Sequence, residues 1–194
     1  KEKGGVIWHT QGSGKSLTMV FLAQVFRRNE ELKKYKLLYI TDRTQLDSQL
    51  TTTFQNTQDE TVLQADSAKD LRELISKDSS DLITSTIQKF QEIRGENLKV
   101  LNESENIVVL IDEAHRTQYG TFGMVLNTVL PNAAKIAFTG TPLLKSELTT
   151  GEFGDYIDKY TIEQSVEDGA TLQILYEGRE VKTKVEGESL DNLF

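Results

Sequence analysis

An α/β fold, a mostly parallel sheet with helices on both faces, is predicted by three observations in this 194-residue chain. Short runs rich in Val, Ile and Leu occur without polar alternation, the pattern of strands covered on both sides. Helical spacings fall between those runs, so crossover helices join successive strands into a doubly wound sheet. A glycine-rich turn, Gly12-Ser13-Gly14-Lys15-Ser16, separates the first run from the first helical pattern. Strand, glycine-rich turn and helix in that order make a phosphate-binding loop.

The elements follow in order. Residues 5–9 read as the first strand and residues 15–28 as the first helix, with apolar residues at helical spacing from Leu17 to Phe26. Residues 36–41 are the second strand, and residues 44–54 a helix opened by Asp42 or Thr44. Residues 55–60 are a polar loop. Residues 67–76 are helical, with Ser67 three residues before Asp70 as an N-cap arrangement. Residues 82–85 are a weaker strand, and residues 95–106, with Glu96, Glu103 and Glu105, a surface loop. Residues 107–111 and 135–139 are strands. Between them residues 122–130 form a helix that stops at Pro131. Beyond Thr141-Pro142 the pattern weakens. Residues 160–167 read as a short helix stopped by Gly169, residues 172–176 as a strand, and residues 179–194 as an extension that lacks its partner. The division is a nucleotide-binding domain at residues 1–160 and a linker or extension at 161–194. Lys1 stands where a start methionine would, almost on top of the first strand, so the chain reads as a piece of a longer one.

Composition excludes several classes. The chain is 37% hydrophobic and 27% charged, ordinary globular material. No apolar run approaches the roughly 18 residues of a membrane span, and no secretory leader pattern opens the chain. Cysteine is absent, which removes disulfides and thiolate metal sites, and two histidines, His9 and His115, argue against a histidine-built zinc centre. The net charge of −8 counts against strong autonomous nucleic-acid affinity, although charge at a contact surface matters more than the total.

Two stretches carry chemistry. In the glycine-rich turn, missing Cβ atoms let backbone N–H groups converge on a phosphate. Lys15 can then reach the β- and γ-phosphates, and the Ser16 hydroxyl can sit on Mg²⁺. The strict pattern places glycine where this chain has His9. The second stretch is Ile107-Val108-Val109-Leu110-Ile111-Asp112-Glu113-Ala114-His115, an apolar strand ending in two acids. Asp112, at the strand's carboxyl end, is placed to hold Mg²⁺ through water. Glu113 is the natural base or water-orienting group for attack on the γ-phosphate. Paired acids after a strand also cap turns; a phosphate-binding loop in the same chain makes hydrolysis the stronger reading.

With Gly12–Ser16, Asp112-Glu113-Ala114-His115 and Thr139-Gly140-Thr141-Pro142 in order, the chain resembles the first RecA-like domain of superfamily-two DEAH-type helicases and translocases. More narrowly, it looks like the motor (restriction, R) subunit of type I restriction-modification enzymes. The words that carry this are Trp8-His9-Thr10-Gln11 before the loop, Thr41-Asp42-Arg43-Thr44-Gln45-Leu46, Thr86-Ile87-Gln88-Lys89-Phe90 and Arg116-Thr117-Gln118-Tyr119-Gly120. His9 at the loop's first position is similar to that family's own form. The resemblance implies that Gly12, Ser13, Gly14, Lys15, Ser16, Asp112 and Glu113 bind and hydrolyse Mg·ATP. It implies that His115 links the nucleotide site to the Thr139–Thr141 segment, whose strand lies between the loop strand and the DEAH strand, and that Thr139 and Thr141 couple hydrolysis to movement. Thr41, Arg43, Gln45, Thr86 and Lys89, with Gln88, would touch the DNA backbone. The implied partners are double-stranded DNA, the modification and specificity subunits, and the rest of the same polypeptide, a nuclease domain and a second RecA-like lobe. The implied setting is a bacterial or archaeal cytoplasm. Without the second lobe's arginine, the fragment alone is expected to be weakly active or inactive. Rival readings are another superfamily-two DNA or RNA helicase, a non-catalytic nucleotide-dependent interaction module and, more remotely, a P-loop kinase.

Overall fold

The computed structural model describes residues 4–42, 62–93, 98–112, 119–140 and 153–173. Within these, seven strands form one parallel sheet: β1 (Gly4–His9), β2 (Lys36–Thr41), β3 (Val62–Gln64), β4 (Leu82–Thr86), β5 (Ile107–Asp112), β6 (Ala134–Thr139) and β7 (Tyr156–Tyr160). Their spatial order is β3-β4-β2-β5-β6-β1-β7. The helices are α1 (Lys15–Arg28), α2 (Ala68–Ser76), α3 (Ile87–Glu92), α4 (Tyr119–Val129) and α5 (Ile162–Glu167).

The sheet is buried because its strands are apolar on both faces. Every residue of β2, β4 and β5 is buried. Alternate residues go to opposite sides, as the period of a strand demands. Leu38, Ile40, Ile83, Val109 and Ile111 pack with Leu71, Phe90, Phe122 and Val125 from α2, α3 and α4. Leu37, Tyr39, Val108, Leu110 and Phe138 pack with Met19, Val20 and Ala23 of α1. Across the first core Phe90 and Phe122 meet edge to face, ring centroids 5.6 Å apart. On the second, the Tyr39 hydroxyl donates to the Met19 carbonyl at 2.7 Å, satisfying a phenol that would otherwise be orphaned.

Helix ends follow local chemistry. The Ser67 side chain accepts from the Asp70 amide at 3.1 Å, the N-cap expected from the sequence. The other end of α2 is closed by a charge from the sheet. Lys36, 3% exposed at the start of β2, donates through Nζ to the carbonyls of Leu74 at 2.7 Å, Ile75 at 3.1 Å and Lys77 at 2.7 Å. Those are carbonyls the helix itself leaves unpaired, and a cation suits that end of its dipole.

Several expectations need correction. β3 and α3 were not anticipated, nor was β7, which pairs in parallel with β1 beyond a register shift at Val6/Ile7. The expected helix at residues 122–130 spans Tyr119–Val129, and the one at 160–167 begins at Ile162 because Tyr160 still belongs to β7. Of the strand expected over 172–176, residues 172 and 173 carry no strand, and Leu172 is 92% exposed among the described residues. Residues 174–176, the helix expected at 44–54 and the loop at 55–60 lie outside the described residues.

Candidate active site

The parallel sheet brings the sequence motifs to one edge. Register pairs Thr41 with Thr86, Asp112 with Phe138, Trp8 with Thr139, and His9 with Tyr160. These are the carboxyl ends of the strands, where open α/β sheets bind ligands. The β6 strand lies between β1 and β5, so Thr139 sits between the phosphate-loop strand and the acidic strand.

The loop between β1 and α1 has the backbone its sequence predicts. Gly12 and Gly14 take φ of 85° and 90°, a left-handed conformation that side chains rarely tolerate. Gly14 is the N-cap of α1 and has no side chain of its own to cap the first turn. The first turn also holds no acid that would repel a phosphate. A tight turn fixes the loop: the Ser13 amide and hydroxyl both donate to the Thr10 carbonyl, at 3.2 and 2.6 Å. Thr18 closes on the Gly14 carbonyl through its amide at 3.1 Å and its hydroxyl at 3.4 Å.

Lys15 opens α1 half-buried, and Ser16 beside it is exposed. The Lys15 Nζ rests against Gly140, just after β6: a Cβ on Gly140 would lie 2.7 Å from that nitrogen and 3.3 Å from the Gln11 amide nitrogen. The end of β6 must therefore be bare for the lysine to lie along the crevice. Gly140 belongs to a word noted in the sequence, but its contact with Lys15 depends on β6 standing next to β1. Asp112 ends β5 at 5% exposure and Thr139 ends β6 at 1%. Among the described residues no cluster of three His, Cys, Asp or Glu forms a ready metal cage. The residues present fit a nucleotide with Mg²⁺: converging N–H groups, a lysine, a hydroxyl and one acid.

The residues assigned to DNA are placed differently from one another. Thr41 and Thr86 are buried, at 0% and 2% exposure. Lys89 donates to the Ala65 carbonyl, and the exposed Gln88 donates to the Asp42 carbonyl at 3.2 Å. Glu113, His115, Thr141, Arg43 and Gln45 lie outside the described residues.

Three residues that sequence reading passed over as site residues, Asp158, Tyr160 and Thr171, border the loop. His9 Nε2 lies 2.8 Å from Asp158 Oδ2 on β7. The Thr10 amide donates to the Tyr160 carbonyl at 3.0 Å. The Thr171 methyl stands 3.6 Å from where a Gly12 Cβ would be. The Tyr160 hydroxyl donates to Asp168 at 2.8 Å, and that bond, with slight desolvation, raises the phenol above the ordinary tyrosine range.

A seven-stranded parallel sheet with a glycine loop, Lys15 and Asp112 at its carboxyl edge defines a P-loop nucleotide-binding domain of the RecA-like, helicase type. The SWI2/SNF2 ATPase family model matches residues 1–194, and the chain belongs to that family. The type I restriction enzyme HindI endonuclease subunit of Haemophilus influenzae is 40% identical over 198 residues, 91% of this chain and 19% of its own length. A relative from Methanocaldococcus jannaschii is 40% identical over 189 residues, 96% of this chain and 18% of its own length. The chain thus spans about a fifth of the curated relatives it matches. Among solved structures, a nuclease-deletion mutant of the Type ISP restriction-modification enzyme LlaGI, in complex with a DNA substrate mimic, superposes with TM-score 0.61 at 17% identity. It covers 86% of this chain and 19% of that one. The Pyrococcus furiosus Hef helicase domain gives 0.60 at 18% identity, covering 82% and 35%.

Proposed function

We propose that this chain is the ATP-binding half of the motor in a type I restriction endonuclease subunit, where ATP hydrolysis drives DNA translocation that ends in double-strand cleavage. The observation that supports this best is the convergence at one sheet edge of the loop, Lys15 against Gly140, and Asp112. The loop N–H groups and Lys15 bind the phosphates and neutralise charge that grows on them during transfer. Ser16 and Asp112 would hold Mg²⁺, which would neutralise phosphate charge when bound. Glu113 orients the attacking water and takes its proton. His115, Thr139 and Thr141 carry the state of the nucleotide site to the DNA track. Arg43, Gln45 and Lys89, with the backbone at Thr41 and Thr86, form part of that track, contacting phosphates and so indifferent to sequence.

A second RecA-like lobe faces this site and supplies the arginine that the described residues do not place there. Such an arginine is worth about 10³–10⁵ in rate. Residues 161–194 lead toward it. The nuclease, the modification and specificity subunits and a bacterial or archaeal cytoplasm complete the setting. The test is Glu113→Gln in the complete subunit with its partners. We expect DNA-stimulated ATP turnover to be lost while ATP stays bound. Turnover at the unsubstituted level would remove Glu113 from the reaction, and loss of binding as well would make the acid structural.

A further inference from the structure

The phosphate-loop pattern puts glycine where this chain has His9, and an imidazole at that point needs space and a partner. Strand β7 supplies both. His9 Nε2 is 2.8 Å from Asp158 Oδ2, and the imidazole meets the Tyr160 ring edge-on with centroids 5.7 Å apart. An ionised carboxylate only accepts, so the imidazole donates through Nε2–H. The link continues along the backbone. Thr10, next in sequence, donates its amide to the Tyr160 carbonyl at 3.0 Å, and its own carbonyl receives the Ser13 amide and hydroxyl. Two positions of β7 thus reach the loop through two consecutive residues. His9 is 12% exposed and Asp158 60% exposed, so the ring is held inside while the carboxylate stands at the rim.

We propose that Asp158 is a positioning residue for nucleotide binding: by holding His9 it fixes the direction in which the loop leaves β1, and with it the N–H groups that receive the phosphates. This rests on the nucleotide reading above. Asp158 does not reach the reacting atoms, so its loss weakens binding more than it slows chemistry.

The test is a double-mutant cycle in the complete subunit, read by equilibrium binding of a fluorescent ATP analogue and by KM and kcat for ATP. Asp158→Ala is expected to weaken binding and raise KM about two- to fivefold, the range of a pair with one exposed partner, with kcat changed less than KM. Asp158→Asn keeps an acceptor oxygen and should recover most of that loss. In a His9→Gly background Asp158→Ala should have no further effect, because the group it positions is gone. An equal effect in both backgrounds, or none beside His9, overturns the proposal. Thermal melting of each variant separates a folding defect from a binding one. If the unsubstituted subunit fails to bind the analogue, the nucleotide reading itself falls, an outcome distinct from an unchanged Asp158→Ala.

Discussion

Two lysines at opposite ends of the same sheet make opposite use of one side chain. Lys36, at the amino end of β2, is buried, and three carbonyls surround its ammonium. Lys15, at the carboxyl end of β1, lies half-buried along a glycine that leaves room beside it. The amino end does hold a polar cavity of about 330 Å³ beside Lys34, Lys77 and Asn106, but its central cation is already saturated by the fold. The difference teaches that the same side chain can close a helix when a full set of carbonyls holds it, and can lie along a bare backbone at the sheet's other end, beside the phosphate loop. Position on a strand end alone does not distinguish them.

The sharpest way to break this contrast is Lys15→Ala. ATP turnover in the complete subunit should fall at least about 10²-fold, as when a transition-state charge partner is removed, while the urea midpoint stays put. A large loss of stability would make Lys15 a second Lys36. The converse is Lys36→Met, which takes the ammonium from the Leu74 and Lys77 carbonyls and leaves the Ile75 carbonyl to Asn102 alone. It should cost about 2–4 kcal/mol of stability, measured by urea titration, with ATP affinity of the folded fraction unchanged.

Gly140→Ala tests the bare backbone. The new methyl would press on the flexible end of Lys15 and on the Gln11 amide. Stability should change little, and turnover should drop about ten- to a hundredfold from a displaced lysine. Unchanged turnover would show that Lys15 works from elsewhere.

The smallest effect concerns pH. Burial pushes the Lys36 ammonium below the ordinary lysine range, against the opposing pull of Asp81 and Asp78. The unfolded chain then holds more protons between that lowered value and 10.5, so Lys36's contribution to stability rises with pH across that window and is flat below it. The substitution Lys36→Met should remove this alkaline slope, seen by comparing urea midpoints on either side of the window.

How legible the chain was follows from burial. Strands β1, β2, β5 and β6 read easily, and β4 more weakly, because sheets covered on both faces demand unbroken apolar runs, as in Ile107-Val108-Val109-Leu110-Ile111. Helix α1 was legible to the residue, since the glycine-rich turn opens it and apolar residues from Leu17 to Phe26 keep helical spacing. Tyr156–Tyr160 stayed hidden because it is an edge strand, with Ile157, Asp158 and Lys159 exposed, and no pattern says that it lies along β1. Three-residue β3 is too short for any periodicity to show. At the site, Lys15, Ser16 and Asp112 are marked by local words, whereas Gly140 and Asp158 gain meaning only from strands adjacent in space. Thr41 and Thr86 are buried, and a motif word says nothing about which way its side chains face.

The position of β1 between β6 and β7 has a consequence for how this chain comes to be folded. The β1 strand emerges before every strand it pairs with, because its two neighbours are the last two strands described. Once residues up to 112 have emerged, β2, β4 and β5 can join, while neither strand that pairs with β1 has yet been made. Pairings so distant along the chain carry a large loop-closure cost and form slowly. The apolar run from Val6 to Trp8 therefore waits unpaired, a segment for a chaperone to shield and the last piece of the nucleotide site to be built.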